Sequence, residues 1–122
     1  MPARAGLGSA AYVVWLAFRI VGSVILVPIV EEFAFRGYLH RKLISERFES
    51  VAEGQFSWLA FVGSSVLFGL VHDRWLAGGL AGVVFAIALY RSGRLSDAIA
   101  AHMSANAVII VWAIAAGEWG LL

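Results

Sequence analysis

Two adjacent carboxylates and an arginine lie at the end of a long apolar run, as Glu31, Glu32 and Arg36. Ionisable side chains at bilayer depth are costly, so three of them together are rarely kept without a use. Residues four apart share a face of an α-helix, so Glu32 can pair with Arg36 while Glu31 faces elsewhere. The spacing predicts a buried ion pair beside a carboxylate with no local cation, a candidate general base. The alternative is that all three lie at the membrane interface and extend into water.

Three further polar side chains occur within apolar runs, namely His72, His102 and Asn106. With an unpaired glutamate they supply what a hydrolase needs: a base, a polarising group and donors for an oxyanion. The chain has no cysteine, and its serines in apolar runs lack a Gly-x-Ser-x-Gly setting or a lysine partner. We therefore expect a water nucleophile activated by Glu31. His72 would help to polarise that water, and His102 with Asn106 would stabilise the oxyanion.

The same four residues could instead bind zinc, because imidazole nitrogens and carboxylate oxygens are among its usual ligands. No His-Glu-x-x-His motif is present, and only two of the three histidines lie within apolar runs. We expect no cofactor, with zinc as the alternative. The third histidine, His40, falls on the polar side of an amphipathic stretch and is expected at the surface.

Composition places these residues in a membrane protein. Of the 122 residues, 61% are hydrophobic and 14% charged, and the mean hydropathy is +0.86, whereas soluble domains are about 45–50% apolar and about 25% charged. We predict an all-α, polytopic bundle of about four transmembrane helices plus an amphipathic helical stretch. The predicted spans are residues 7–30, 56–72, 75–90 and 96–116, with the amphipathic stretch at 33–47 and a polar connection at 46–55. The spacing Gly78-x-x-x-Gly82 predicts close helix packing.

Charge limits the possible partners. The formal net charge of +1 offers no basic field for nucleic acid, so we expect none as a partner. The expected partners are membrane lipid and a membrane-associated protein or peptide. Basic residues near the span ends favour a cytoplasmic location for the connections at 37–55 and 91–96. We expect a multi-pass protein of the cell membrane, of the bacterial inner-membrane type.

Helix rise sets the depth of each polar side chain. At ~1.5 Å per residue, Glu31, His102 and Asn106 reach a similar depth from the cytoplasmic ends of their spans, whereas His72 falls toward the far face. Pro28, just before the glutamates, permits a kink that could aim Glu31 inward. Sequence reasoning therefore places His72 in the site less readily than the other three.

Three motifs occur in order on successive apolar segments: Glu31-Glu32-x-x-x-Arg36, Phe68-x-x-x-His72 and His102-x-x-x-Asn106. A proline precedes the first motif, and Gly-Tyr follows its arginine. In this order they resemble the signature motifs of the CAAX-protease and bacteriocin-processing family, the type II CAAX prenyl endopeptidase-like intramembrane glutamic proteases. The resemblance covers roughly residues 27–110 of a single membrane-embedded core expected over 1–122. The Trp-Leu-Ala-Gly stretch from Trp75 is also similar to exosortase-associated members.

The resemblance implies hydrolysis of a peptide bond at or in the membrane, without a metal. It implies that Glu31 is the general base and that His72 assists it. It also implies an oxyanion hole formed by His102 and Asn106. The supporting residues that it implies are Glu32, Arg36 and Phe68.

Two features leave other interpretations open. Members of the family typically carry further membrane helices before the first motif, so this chain could be part of a longer protein. The polar cluster could also serve helix packing alone. The chain would then be a non-enzymatic membrane module, such as an immunity or scaffold protein, that retains the fold.

Overall fold

The computed structural model describes residues 6 and 8–121, and within that part of the chain the fold is helical without strands. The long elements are α1 (Ser9–Lys42), α2 (Trp58–Leu70), α3 (Trp75–Ser92) and α4 (Leu95–Ala116). Short 3₁₀ turns lie at Phe48–Ser50 and Trp119–Leu121. The predicted all-α fold is confirmed. The predicted start of the first span, Leu7, lies outside the described residues.

Helices α1, α3 and α4 are long and apolar enough to cross a membrane. Helix α2 is apolar but has 13 residues, about 20 Å of helix against a hydrocarbon core of about 30 Å. Large hydrophobic side chains are exposed on these helices, among them Phe18, Leu59, Leu80 and Val108, as lipid contact requires. The protein is a multi-pass membrane protein in which the second predicted span, 56–72, is shorter than its apolar run suggests. It begins late because Ser57 caps α2, its hydroxyl accepting from the Ala60 N–H.

Helix α1 carries a π-helical segment, Gly22–Leu26, just before its proline. The N–H of Val27 donates to the carbonyl of Gly22, five residues earlier. Proline has no backbone N–H, so Pro28 cannot donate the usual helical hydrogen bond. The π turn before it changes the pairing of the neighbouring backbone N–H and carbonyl groups. The loosening predicted from Pro28 therefore takes the form of a wider turn within a continuous helix.

A second π-helical segment, Phe33–Leu39, follows the two glutamates. On a 3.6-residue helix, positions four apart drift by ~40° at each step, and a π turn offsets that drift because it holds more residues. Glu32, Arg36 and His40 consequently all face inward, each exposed by 1% or less. We call these three residues the polar stripe of α1.

The expectation of an amphipathic stretch with His40 at the surface is wrong in this respect. Helix α1 continues to Lys42, and His40 is fully buried. Its Nε2 lies 2.5 Å from the hydroxyl oxygen of Tyr90 on α3. The helical periodicity of the sequence places this ring on the solvent-facing side. In the structure its Nε2 instead finds a hydrogen-bond partner fifty residues away in the chain.

The polar connection after α1 is hydrogen-bonded to the end of α1 and to the start of α4. The guanidinium of Arg41 donates to the carbonyl of Val51 at 2.8 Å. The carboxylate of Glu53 accepts from the N–H of Leu95 at 2.8 Å, which caps the first turn of α4. Gly54 has φ +75°, and a Cβ there would lie 2.9 Å from the Cα of Gly93, so a glycine is needed at this contact.

Helices α2 and α3 pack closely against each other through small residues. A Cβ at Gly69 would lie 2.6 Å from the carbonyl oxygen of Trp75, and one at Gly78 would lie 3.1 Å from the Cβ of His72. A Cβ at Gly82 would lie 3.2 Å from the ring of Phe68. The close packing predicted from the Gly-x-x-x-Gly spacing is present.

By its internal contacts the chain divides into two compact units. One is Ile29–His102; the other comprises the described residues up to Pro28 and from Met103 onward. The first unit contains the polar stripe, α2, α3 and the first turns of α4. Its buried apolar side chains include Ala60, Phe68, Phe85, Ala86 and Leu89.

Alanine substitution at two neighbouring glycines tests the α2–α3 contact. Gly69→Ala places a methyl group against backbone atoms and should lower the free energy of unfolding by about 1–3 kcal/mol. Gly79→Ala is the matched control, since its Cβ meets only the Ser65 carbonyl oxygen at 3.9 Å. That change should be neutral or stabilising by up to about 1 kcal/mol. Thermal unfolding in detergent measures both, and equal shifts would contradict the packing described here.

Candidate active site

The side chain of Glu31 lies between two imidazole rings in the Ile29–His102 unit. Its Oε2 is 3.7 Å from the Nε2 of His72 and 3.8 Å from the Nε2 of His102. The Glu31 side chain is 25% exposed, and its Oε2 atom is buried without a hydrogen-bond partner among the described residues. The structure therefore brings together three of the four residues that the sequence assigns to catalysis.

The tautomer of His102 is set by the neighbouring carboxylate. Its Nδ1 lies 2.9 Å from the Oε1 of Glu32. A carboxylate in an ion pair only accepts hydrogen bonds, so Nδ1–H is the donor. The neutral ring then presents the lone pair of Nε2 toward Glu31. The same carboxylate would stabilise the imidazolium if Nε2 also gained a proton.

The orientation of His72 is set by the backbone of α2. Its Nδ1 donates to the carbonyl oxygen of Phe68, one turn earlier, at 2.6 Å. A carbonyl oxygen can only accept, so the Nε2 of this ring also carries the free lone pair in the neutral form. Two imidazole nitrogens and one carboxylate oxygen thus face a shared space. A water molecule, which can donate two hydrogen bonds, can bridge two of these three acceptors at a time.

The bond to Phe68 also fixes where the His72 ring lies relative to α2. The helical part of α2 ends at Leu70, and the chain turns over residues 71–74 before α3. The imidazole points back toward the N-terminal end of α2, because its Nδ1 bonds to the carbonyl four residues earlier. Counting helix rise from residue 56 had placed this ring toward the far face. The structure nevertheless places the Nε2 of this ring 3.7 Å from the Oε2 of Glu31.

Glu32 and Arg36 form the ion pair that their spacing predicts. Arg36 Nη1 donates to Glu32 Oε1 at 3.1 Å, and both side chains are fully buried. Arg36 Nη2 donates to the carbonyl oxygen of Gly82 on α3 at 2.7 Å. The pair therefore links α1 to α3, and through His102 it also links α1 to α4. The two adjacent glutamates differ as the sequence predicts, since only Glu32 is paired.

Aromatic rings complete the walls of the site. Phe85 stacks on His102 with ring centroids 4.4 Å apart and an interplanar angle of 17°. Phe68 contacts His102 edge-on at 5.6 Å and lies 4.5 Å from the Cζ of Arg36. Apolar walls strengthen the electrostatic interactions that they enclose. Phe68, predicted as a supporting residue, thus orients His72 through its carbonyl and covers Arg36 with its ring.

Asn106 belongs to the other unit. It lies one turn beyond His102 along α4, and its side-chain amide donates to the carbonyl oxygen of Ser23 at 2.8 Å. One amide hydrogen holds α1 to α4 within that unit.

Metal binding can be judged from the donor groups. In the described part of the chain, no group of three or more His, Asp or Glu side chains has the geometry to hold a metal ion. The distances of 3.7 and 3.8 Å at Glu31 are wider than the ~3.3 Å that separates two ligands of one tetrahedral zinc with bonds of about 2.0–2.1 Å. Zinc remains the alternative to a metal-free site.

Sequence reasoning missed three contributors to this region. Phe85 stacks on a histidine, the Gly82 carbonyl receives the arginine, and Tyr90 receives His40. All three are on α3, which was expected to serve packing alone. The spacing of Gly82 and Phe85 is the available signal, because residues three apart share a face of a helix. Tyr90, five residues beyond Phe85, carries no such signal.

Comparison with known proteins gives one family and one curated relative. The family described as type II CAAX prenyl endopeptidase Rce1-like matches residues 13–108. The UPF0177 protein YbdI of Lactococcus lactis subsp. lactis (strain IL1403) is 27% identical over 104 residues, which cover 82% of this chain and 50% of that protein. The chain therefore spans about half the length of this relative. No solved structure matches the chain.

The same substitution at the two glutamates should separate their structural roles. Glu32→Gln leaves the buried Arg36 without its counter-charge and should lower the free energy of unfolding by about 3 kcal/mol. Glu31→Gln removes no short hydrogen bond from a partly exposed side chain and should cost under about 1 kcal/mol. Thermal unfolding of both variants in detergent makes the comparison. Equal destabilisation would show that Glu31 is also structural.

Proposed function

Because the chain belongs to the Rce1-like family of type II CAAX prenyl endopeptidases, we propose that it hydrolyses a peptide bond of a membrane-associated protein or peptide. The observation that supports the proposal most strongly is the convergence of two imidazole Nε2 atoms on Glu31 Oε2. A carboxylate without an arginine partner, beside one that is ion-paired with Arg36, is suited to proton transfer.

The reaction begins with a water molecule held by Glu31 and His72. Glu31 accepts one proton of that water as its oxygen attacks the carbonyl carbon of the scissile bond. His72 accepts a hydrogen bond from the same water. This bond orients a lone pair of the water oxygen toward the substrate carbonyl. The Phe68 carbonyl keeps the ring in that orientation.

The carbonyl oxygen gains negative charge in the tetrahedral intermediate. His102 stabilises it by donating from Nε2, which requires the imidazolium form, and Glu32 supports that cation through Nδ1. Asn106 supplies a second donor in the assignment taken from the family resemblance. When the intermediate collapses, the C–N bond breaks and Glu31 returns its proton to the leaving amine. The products are a carboxylic acid and an amine, and the enzyme is regenerated.

The proposed reaction needs no metal, and its substrate is held at the membrane. We propose the cell membrane as the location, with membrane lipid and a membrane-associated peptide as partners. The retained alternative is a non-enzymatic module that keeps the polar cluster for packing. It differs experimentally because conservative changes at Glu31 and His102 would then leave function intact, whereas bulky residues at Gly78 or Gly82 would destroy it.

Cleavage of a panel of membrane-anchored peptides by the detergent-solubilised chain tests the proposal. Glu31→Gln should lower kcat at least ~100-fold with the fold retained, because it removes the general base. Glu46→Gln, a change at an exposed carboxylate in the connection, is the matched control and should keep wild-type activity. Equal cleavage by wild type and Glu31→Gln would overturn the proposed mechanism.

Chelation separates the glutamic from the metal-dependent mechanism. With EDTA or 1,10-phenanthroline the rate should stay unchanged, since Glu31 and His72 activate the water in the proposed mechanism without a metal. Loss of activity that zinc restores would instead establish a metalloprotease using the same side chains.

A further inference from the structure

The polar stripe of α1 extends beyond the residues that the proposed reaction uses. His40 is fully buried one turn past Arg36, and its Nε2 hydrogen-bonds with the Tyr90 hydroxyl group. Its Nδ1 is buried and has no hydrogen-bond partner among the described residues. A buried imidazole nitrogen without a hydrogen-bond partner lowers the stability of the fold, so we expect this atom to have a partner.

Other buried polar atoms of the Ile29–His102 unit share this property. The hydroxyls of Ser64 and Ser65 on α2 and the Nε of Arg36 are buried and unpartnered within the described chain. A Cβ on Gly82 would lie 3.1 Å from Arg36 Nη2 and 3.3 Å from the Cα of Ser65, so Ser65 and Arg36 flank the same point of α3. Serines inside a helix usually bond to the carbonyl one turn earlier. These two do not.

We infer that these atoms bind a small group of buried water molecules between Arg36 and His40. The groups include a pure donor, Arg36 Nε, and hydroxyls that both donate and accept. Water matches such a mixed set, and buried waters typically make about three hydrogen bonds to otherwise unsatisfied groups. The guanidinium charge is already balanced by Glu32, so the site suits a neutral ligand rather than an anion.

The position of this water site gives it a role in the proposed reaction. The stripe runs about 12 Å along α1 from Glu32 to His40, and Tyr90 lies two residues before the end of α3 at Ser92. Tyr90 is partly exposed. Water entering at that end can pass along polar groups to the carboxylates, whereas the helix surfaces beside it are apolar. The inference that this site supplies the hydrolytic water rests on the proposed function. The inference that water is bound there does not.

Radiolytic hydroxyl-radical labelling in ¹⁸O water tests the hydration without any need for activity. Buried side chains react strongly only where bound water generates the radical beside them. After correction for intrinsic reactivity, His40 should be labelled well above Leu89, which is equally buried but apolar and lies next to Tyr90 in sequence. Labelling of His40 no higher than Leu89 would overturn the water site.

Two substitutions at His40 test the supply of water. His40→Gln keeps a polar group and should keep kcat within about twofold, whereas His40→Leu removes the polar link and should lower kcat about tenfold with KM unchanged. Should the leucine variant fail to fold, Tyr90→Phe makes the same test. It removes only the hydroxyl and keeps the ring against Phe56 and Phe61.

The outcomes separate the water site from the proposed function. Wild-type kcat in both His40→Leu and Tyr90→Phe, beside Glu31-dependent cleavage, would overturn the supply role and leave the protease intact. Strong labelling of His40 in a chain that cleaves nothing would support the water site and count against the protease. Lowered kcat together with loss of ¹⁸O label at Tyr90 in His40→Leu would support both.

Discussion

The charge on Arg36 has to be balanced inside an apolar bundle, and most of the arrangement around the site follows from that constraint. An isolated cation buried away from water is far less stable than a paired and hydrogen-bonded one. Glu32 supplies the counter-charge from the same helix, and the Gly82 carbonyl supplies a further acceptor from α3. Phe68 covers the guanidinium with its ring. Three helices are thus fixed around one ion.

The pair also explains why two adjacent glutamates have different chemistry. The Oε1 of Glu32 is bonded to both Arg36 and His102, so Glu32 balances the arginine charge and fixes the tautomer of His102. Glu31 points about 100° away around the helix, where its neighbours are the free nitrogens of two imidazoles. One carboxylate holds the arginine in place, and the other faces the two imidazole rings without an arginine partner. If only one of these two positions carried a carboxylate, that residue could not both balance Arg36 and face the two imidazole rings.

Much of this was accessible from the sequence, and the remainder was not for identifiable reasons. The i, i+4 spacing was enough for the Glu32–Arg36 pair. The apolar run lengths were enough to predict the long helices, but not where α1 ends or how long α2 is. Burial of His40 depended on a π turn and on Tyr90, fifty residues away, neither of which a fixed 3.6-residue period can represent. The length of α2 depended on where Ser57 capped it. Family resemblance suggested which histidines matter, but only the three-dimensional contacts gave their tautomers.

The connection between α1 and α2 has a further consequence for the dynamics of the fold. Glu53 holds the first N–H of α4, and Gly54 packs on Gly93 in the turn before it. The first turn of α4 therefore cannot fray unless this connection detaches, and the two should open as one cooperative unit. His102 lies two turns further along the same helix. The polar connection thus helps to set how often the helix that carries His102 opens locally.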